Sequence, residues 1–164
     1  MNEIDYSKFS DSYNELHGEE QLKKLRAVMK SVQFNPAKKL LDVGCGSGIG
    51  TSLIKCRKAG IDPCIELLTL ADKPLIKVLG CAENLPFKDK QFDFVISMTA
   101  IHNFTDIKKA LLEMKRVAKD VVIISVLKRS RRFREIEGLI MDIFFLTCTL
   151  DDDKDMIYLL SSSK

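Results

Sequence analysis

KLLDVGCGSGIG, Lys39 to Gly50, is an apolar run followed by a turn with glycine at every second position. Leu40, Leu41 and Val43 read as a strand buried on both faces, as strands of a parallel sheet are. Gly44, Gly46 and Gly48 remove the Cβ atoms that would fill the space beyond the strand end, so a ligand can approach the backbone there. A helix over Ile49 to Arg57 is expected next. Its unpaired N–H groups would face the same space and offer hydrogen bonds to a carboxylate or phosphate. The pattern points to a nucleotide-like cofactor.

The spacing narrows which one. A dinucleotide fingerprint needs a third glycine three residues after the second, and Ile49 and Thr51 hold the two positions where it could fall. No Gly-Lys-Ser/Thr ending follows, which disfavours an ATP or GTP phosphate loop. Asp62 ends a short run from Ala59, twenty positions after Asp42. A carboxylate at a second strand tip can accept two hydrogen bonds from a ribose diol, so the cofactor is expected to carry a ribose.

Along the rest of the chain, strand signals at about 39–44, 59–62, 76–80, 92–97 and 120–126 alternate with helix signals near 49–57, 64–72, 106–118 and 131–140. FFLTCTL at 144–150 and MIYLLS at 156–161, separated by the polar DDDKD, read as a terminal β-hairpin. The sum is a Rossmann-like α/β three-layer sandwich, with a mostly parallel seven-stranded sheet ending in an antiparallel hairpin. Before it, GEEQLKKLRAVMKSV (Gly18 to Val32) is an amphipathic helix with Leu22, Leu25, Val28 and Met29 on one face. With 164 residues, 46% of them hydrophobic, one core is expected: a single domain with an amino-terminal helical segment, 1–38, ahead of a cofactor-binding core, 39–164.

No apolar run approaches a membrane span, and MNEIDYSKFS has neither the basic start nor the apolar centre of a signal peptide, so a cytoplasmic protein is expected. Cys45, Cys56, Cys64, Cys81 and Cys148 are odd in number and scattered, and read as reduced thiols rather than as a metal centre.

Three ordered segments, LDVGCGSG at 41–48, GIDP at 60–63 and AENLPFKDKQFDFVIS at 82–97, resemble the motifs of class I S-adenosylmethionine-dependent methyltransferases, and within them the type 11, UbiE-like group. The resemblance runs from about Tyr6 to Leu160. It implies S-adenosyl-L-methionine as cofactor and an in-line displacement, in which the acceptor's nucleophile attacks a methyl group on positively charged sulfur. Such an enzyme contributes mainly alignment, and sometimes removal of a proton.

Carried over by motif, Asp42 and the turn Gly44, Cys45, Gly46, Ser47 and Gly48 would surround the methionine and ribose parts. Asp62 would hold the ribose hydroxyls, Pro63 and Cys64 would line the adenine, and Ala82 and Glu83 would flank it on the other side. Cys81 stands where many relatives have an aspartate for the adenine amino group, and is a weaker acceptor. Ser97 and Met98 would sit beneath the methyl-transfer position, and Tyr13 resembles a tyrosine that covers the cofactor.

His102, in SMTAIHNF, is the candidate general base, because imidazole can accept a proton near neutral pH; His17 is a minor candidate. The Asn/Asp-Pro-Pro-aromatic tetrad of N-methylation is absent after the fourth strand, where Ser97 to Ala100 stand. The first reading is therefore a methyltransferase for a small-molecule acceptor. The alternatives are a compact RNA or protein methyltransferase subunit needing a partner, with a partner subunit or homodimer completing the pocket, and a non-catalytic S-adenosylmethionine-binding regulator. KRSRRFR, Lys128 to Arg134, bears on that choice: it is either a basic turn neutralised by Glu135 and Glu137, or a site for an anion such as RNA, with Phe133 free to stack on a base.

Overall fold

The computed structural model describes residues 10–71 and 75–163, with side chains from residue 18 onward; the side chains of Tyr13 and His17 lie outside the described residues. In chain order the elements are α1 (Ser10–Ser31), β1 (Lys39–Val43), β2 (Arg57–Asp62), α2 (Ile65–Leu70), β3 (Leu75–Leu79), β4 (Phe92–Met98), α3 (Ile107–Val117), β5 (Ala118–Leu127), α4 (Phe133–Ile143), β6 (Phe145–Asp151) and β7 (Asp155–Ser161). They build one seven-stranded sheet in the order β3-β2-β1-β4-β5-β7-β6. The first five strands in that order are parallel, and β7 runs antiparallel to both β5 and β6. Chain direction reverses sideways at β1, between β2 and β4, the switch point where open α/β sheets place their ligands.

Every residue of β4 is buried, as the centre of a doubly covered sheet requires. One face carries Leu40, Phe94, Ile96, Ile123 and Ile157 beneath Leu25 and Val28 of α1. The other carries Leu41, Val95, Val122, Ile124 and Tyr158 beneath α3 and α4. Apolar residues recur on α3 at Ile107, Ala110, Leu111, Met114 and Val117, all buried. Its start is fixed by the Asp106 side chain, which accepts from the Lys109 N–H at 2.9 Å, and its end by Lys115 and Arg116 against the negative pole of the helix dipole.

Two expectations are corrected. The helix over Ile49 to Arg57 does not form: Ile49–Thr51 makes a single 3-10 turn, and β2 already begins at Arg57, paired with Lys39. Ile49, Gly50 and Thr51 are weak helix formers, and the space above them is filled by α1, where a Cβ on Gly18 would come 3.0 Å from Ile49 Cδ1. The connection is held instead by side chains. Thr51 Oγ1 donates to Asp42 Oδ2 at 2.9 Å, and Lys58 Nζ donates to the carbonyls of Thr51 and Ser52 at 2.9 and 3.2 Å. On α1, Met29 is exposed rather than packed, and Lys24 turns inward with no exposed surface.

Candidate active site

The carboxyl ends of β1, β2 and β4 surround a cavity of 350 Å³. Gly44 and Gly46 of the glycine turn line it. Gly44, Gly46 and Gly48 have φ of 73°, 50° and 77°, the left-handed region that favours glycine. The Gly44 N–H donates to Ile61 O at 2.8 Å and the Gly46 N–H to Asp62 Oδ2 at 2.8 Å, while the Gly48 N–H closes on Cys45 O at 2.8 Å. The turn is therefore folded onto the tip of β2, and with no helix behind it the expected anion cradle at a helix N-terminus is absent from the described residues.

Asp62 is 8% exposed and lines the cavity. It accepts from the N–H groups of Gly46 and, at 2.9 Å, Cys64. Burial raises its pKa against these two bonds, which lower it. A carboxylate has about four acceptor positions, so two remain for a ligand diol.

Pro63, Cys64, Ala82, Glu83 and Met98 line the same cavity. The Cys64 thiol donates to Glu66 at 3.2 Å. Glu83 also ties down the opposite wall, accepting from the N–H groups of Thr105 and Asp106 at 2.9 and 3.2 Å.

Six expected residues, Asp42, Cys45, Ser47, Gly48, Ser97 and His102, are outside the cavity lining. Asp42 is 2% exposed, and burial, chiefly, together with the Asp62 charge, raises its pKa to about 7 against the lowering effects of Thr51 and Lys58. The Cys45 side chain turns under the sheet, where a Cβ on Gly60 would meet its Sγ at 2.6 Å. Gly48 packs beneath Leu75 and Ala71. Ser97 is fully buried, its Oγ without a hydrogen-bond partner among the described residues.

His102 lies in a 3-10 turn, Ile101–Asn103. Burial, chiefly, lowers its pKa; Asp155 opposes that and Lys24 adds to it.

The wall that sequence reasoning passed over is the segment after β4. Thr99, Ala100, Asn103, Phe104 and Thr105 all line the cavity. SMTAIHNF marks the place, but the left-handed turn at Thr99, φ 56°, sits on a β-branched residue and leaves no glycine to announce it.

The basic segment resolves into local pairs. Lys128 meets Asp151, Arg132 bonds Glu135 at 3.0 and 3.1 Å and Phe104 O at 2.9 Å, and Arg134 bonds Glu137 at 2.9 Å. Phe133 packs against the core, with the Arg134 guanidinium over its ring at 5.9 Å. No group of metal-binding side chains occurs among the described residues, and none of their helices is long and apolar enough to cross a membrane.

Residues 41–125, just over half of the chain, match a family model described as a methyltransferase domain. An uncharacterised protein of Methanocaldococcus jannaschii is 32% identical over 119 residues, covering 70% of this chain and 46% of that protein. Demethylmenaquinone methyltransferase of Thermotoga maritima is 36% identical over 103 residues, covering 57% of this chain and 44% of the enzyme. The chain thus spans about half the length of these curated relatives. In fold, it superposes with a TM-score of 0.82 over 100% of both chains on a chain from the complex between the Haloferax volcanii Trm112 methyltransferase activator and a methyltransferase, at 14% identity. A positive-φ glycine turn on β1, a carboxylate at the tip of β2 and a cavity between them fit S-adenosylmethionine, the cofactor of this class. The chain belongs to the methyltransferase domain family, in the class I S-adenosylmethionine-dependent group.

Proposed function

We propose that this chain transfers a methyl group from S-adenosylmethionine to a small-molecule acceptor by in-line displacement. The observation that carries the reading is the pairing of the basic segment within the chain: Lys128 with Asp151, Arg132 with Glu135 and Arg134 with Glu137. Cations already engaged by the chain's own carboxylates are less available to a polyanionic backbone, which favours a small-molecule acceptor.

When bound, the cofactor supplies a methyl group already activated by its sulfonium. The chain's own residues hold and align. Asp62 accepts from the ribose hydroxyls, Pro63, Cys64, Ala82 and Glu83 enclose the adenine, and Gly44 to Gly48 leave backbone-lined room for the methionine portion. Asp42 acts through Thr51 on the shape of that turn. Ser97 and Met98 form the base of the transfer position, Tyr13 belongs to the segment over the cofactor, and His102 is the proton acceptor.

The test is incubation with methyl-labelled S-adenosylmethionine and a cell extract separated into small-molecule, RNA and protein fractions. Label in the small-molecule fraction is expected. Label confined to RNA or protein refutes the proposal.

A second reading, a compact subunit that needs a partner, has one observation in its favour. Edge strand β3 exposes Ile76 and Leu79, at 68% and 60%, and runs directly into Gly80 to Glu83 of the cavity wall. The Haloferax volcanii neighbour of the same fold was solved in a complex with an activator. On this reading transfer by the isolated chain is absent and appears when a partner fraction is added.

A further inference from the structure

Lys24 and Asp155 are both fully buried and form an ion pair where α1 crosses the start of β7. Desolvating two charges is expensive, and the loss is recovered only where further hydrogen bonds complete the pair. Those bonds converge on one residue. Lys24 Nζ donates to Thr99 Oγ1 at 3.0 Å, Thr99 Oγ1 donates to Asp155 Oδ2 at 3.2 Å, and the Thr99 N–H donates to Ser125 Oγ at 2.7 Å.

Thr99 has reason to need such support, since its φ of 56° is a conformation that β-branched residues rarely adopt. The reversal it makes at the end of β4 sets Ala100 against Gly44, where an added Cβ would lie 2.6 Å from Ala100 Cβ. The same reversal launches the turn that carries His102. From the buried pair the network continues outward: Glu20 accepts from Lys24 at 2.9 Å and from Lys154 at 2.6 Å, and Lys23 meets Asp152 at 3.3 Å.

We infer that the Lys24–Asp155 pair is a positioning device for the acceptor side of the cavity, holding Thr99 left-handed and thereby setting the Thr99–Phe104 wall against the glycine turn. The inference rests on the reading of this cavity as the site of methyl transfer. A pair serving stability alone has no need to converge on a strained residue, because well-packed apolar side chains stabilise such an interface equally well. Asp155 Oδ1 and His102 Nδ1 are both buried without a hydrogen-bond partner among the described residues, and Asp155 and Lys24 both act on the His102 ring. Their effects on the ring oppose each other, and burial outweighs both.

The decisive variant is Lys24→Met with Asp155→Leu, which removes both charges and keeps the volume apolar. Three quantities are measured against wild type: affinity for S-adenosylhomocysteine by calorimetry, amide hydrogen exchange at Thr99, Ile96 and Ile123, and the rate at which the acceptor fraction takes up label. The expected result is affinity within about threefold, exchange at Thr99 at least tenfold faster with Ile96 and Ile123 unchanged, and transfer at least tenfold slower. Unchanged Thr99 exchange in the folded variant overturns the inference. So does equal acceleration at all three amides, which would make the pair a stability element only. Should the double variant not fold, Asp155→Asn is read by the same three measurements. Wild-type protein that fails to bind S-adenosylhomocysteine refutes the proposed function instead, which keeps the two failures apart.

Discussion

Asp42→Asn is expected to stabilise the protein, and to do so more at alkaline than at acidic pH. The carboxyl is 2% exposed, accepts one hydrogen bond from Thr51 and is raised to about 7. A rise of roughly three units above an ordinary aspartate corresponds to about 4 kcal/mol. The sign follows from proton binding. The folded carboxyl keeps its proton to higher pH than the unfolded one, so stability falls as pH rises from about 4 to about 7 and then levels off. By about pH 5.5 roughly half of the loss has occurred, leaving about 2 kcal/mol to be lost by about pH 8. Asparagine keeps an acceptor for Thr51 and cannot ionise. Urea unfolding of wild type and variant at both pH values should therefore give a difference that grows by about 2 kcal/mol between them. A constant offset would mean that Asp42 is ionised throughout and that Lys58, whose pKa burial lowers and Asp42 raises, fully compensates it.

Asp62→Ala should weaken S-adenosylhomocysteine binding by about 1.5–3 kcal/mol in a folded protein, by calorimetry and circular dichroism, since it removes the acceptor left for the ribose. Unchanged affinity would take Asp62 out of the cofactor site. Gly44→Ala should cost about 1–3 kcal/mol of stability, because φ is 73° and the new Cβ would sit 2.6 Å from Ala100 Cβ; a melting temperature equal to wild type sinks that claim. Arg131 and Arg132 replaced together by Gln should lower the melting temperature, since Arg132 bridges Glu135 and the Phe104 carbonyl. Salt-dependent RNA binding lost in this variant alone would move the balance to the RNA reading.

The sheet was legible because its signals are local. Largely apolar runs at Leu40–Val43 and Phe92–Met98 define central strands, and DDDKD between two β-rich runs defines the hairpin, now seen as β6 and β7. The half of the site built from glycines and Asp62 was legible for the same reason: positive φ has a residue that announces it, and a strand-tip carboxylate has a spacing. The exits of β1 and β4 were less so. Whether Ile49 to Arg57 forms a helix depends on what lies above it, and α1, far away in sequence, occupies that space.

Lys24 shows most clearly where a pattern stops and structure begins. On a helical wheel it reads as one of the solvated cations of GEEQLKKLRAVMKSV, beside Lys23, and nothing nearby in sequence distinguishes the two. Lys23 reaches only the exposed turn at Asp152, while one residue later the same side chain type is fully buried against a carboxylate more than a hundred positions away. Asp155 likewise reads as the last polar residue of a turn. Each partner makes the other affordable, and only the antiparallel return of β7 beside β5, which sets Asp155 opposite Leu127, brings the carboxylate to the edge where β4 ends. Thr99 then has three polar partners from α1, β5 and β7, and a conformation that no propensity assigns to threonine becomes the stable one. Tertiary pairing, not local sequence, thus accounts for the left-handed turn at Thr99 that begins this wall of the cavity.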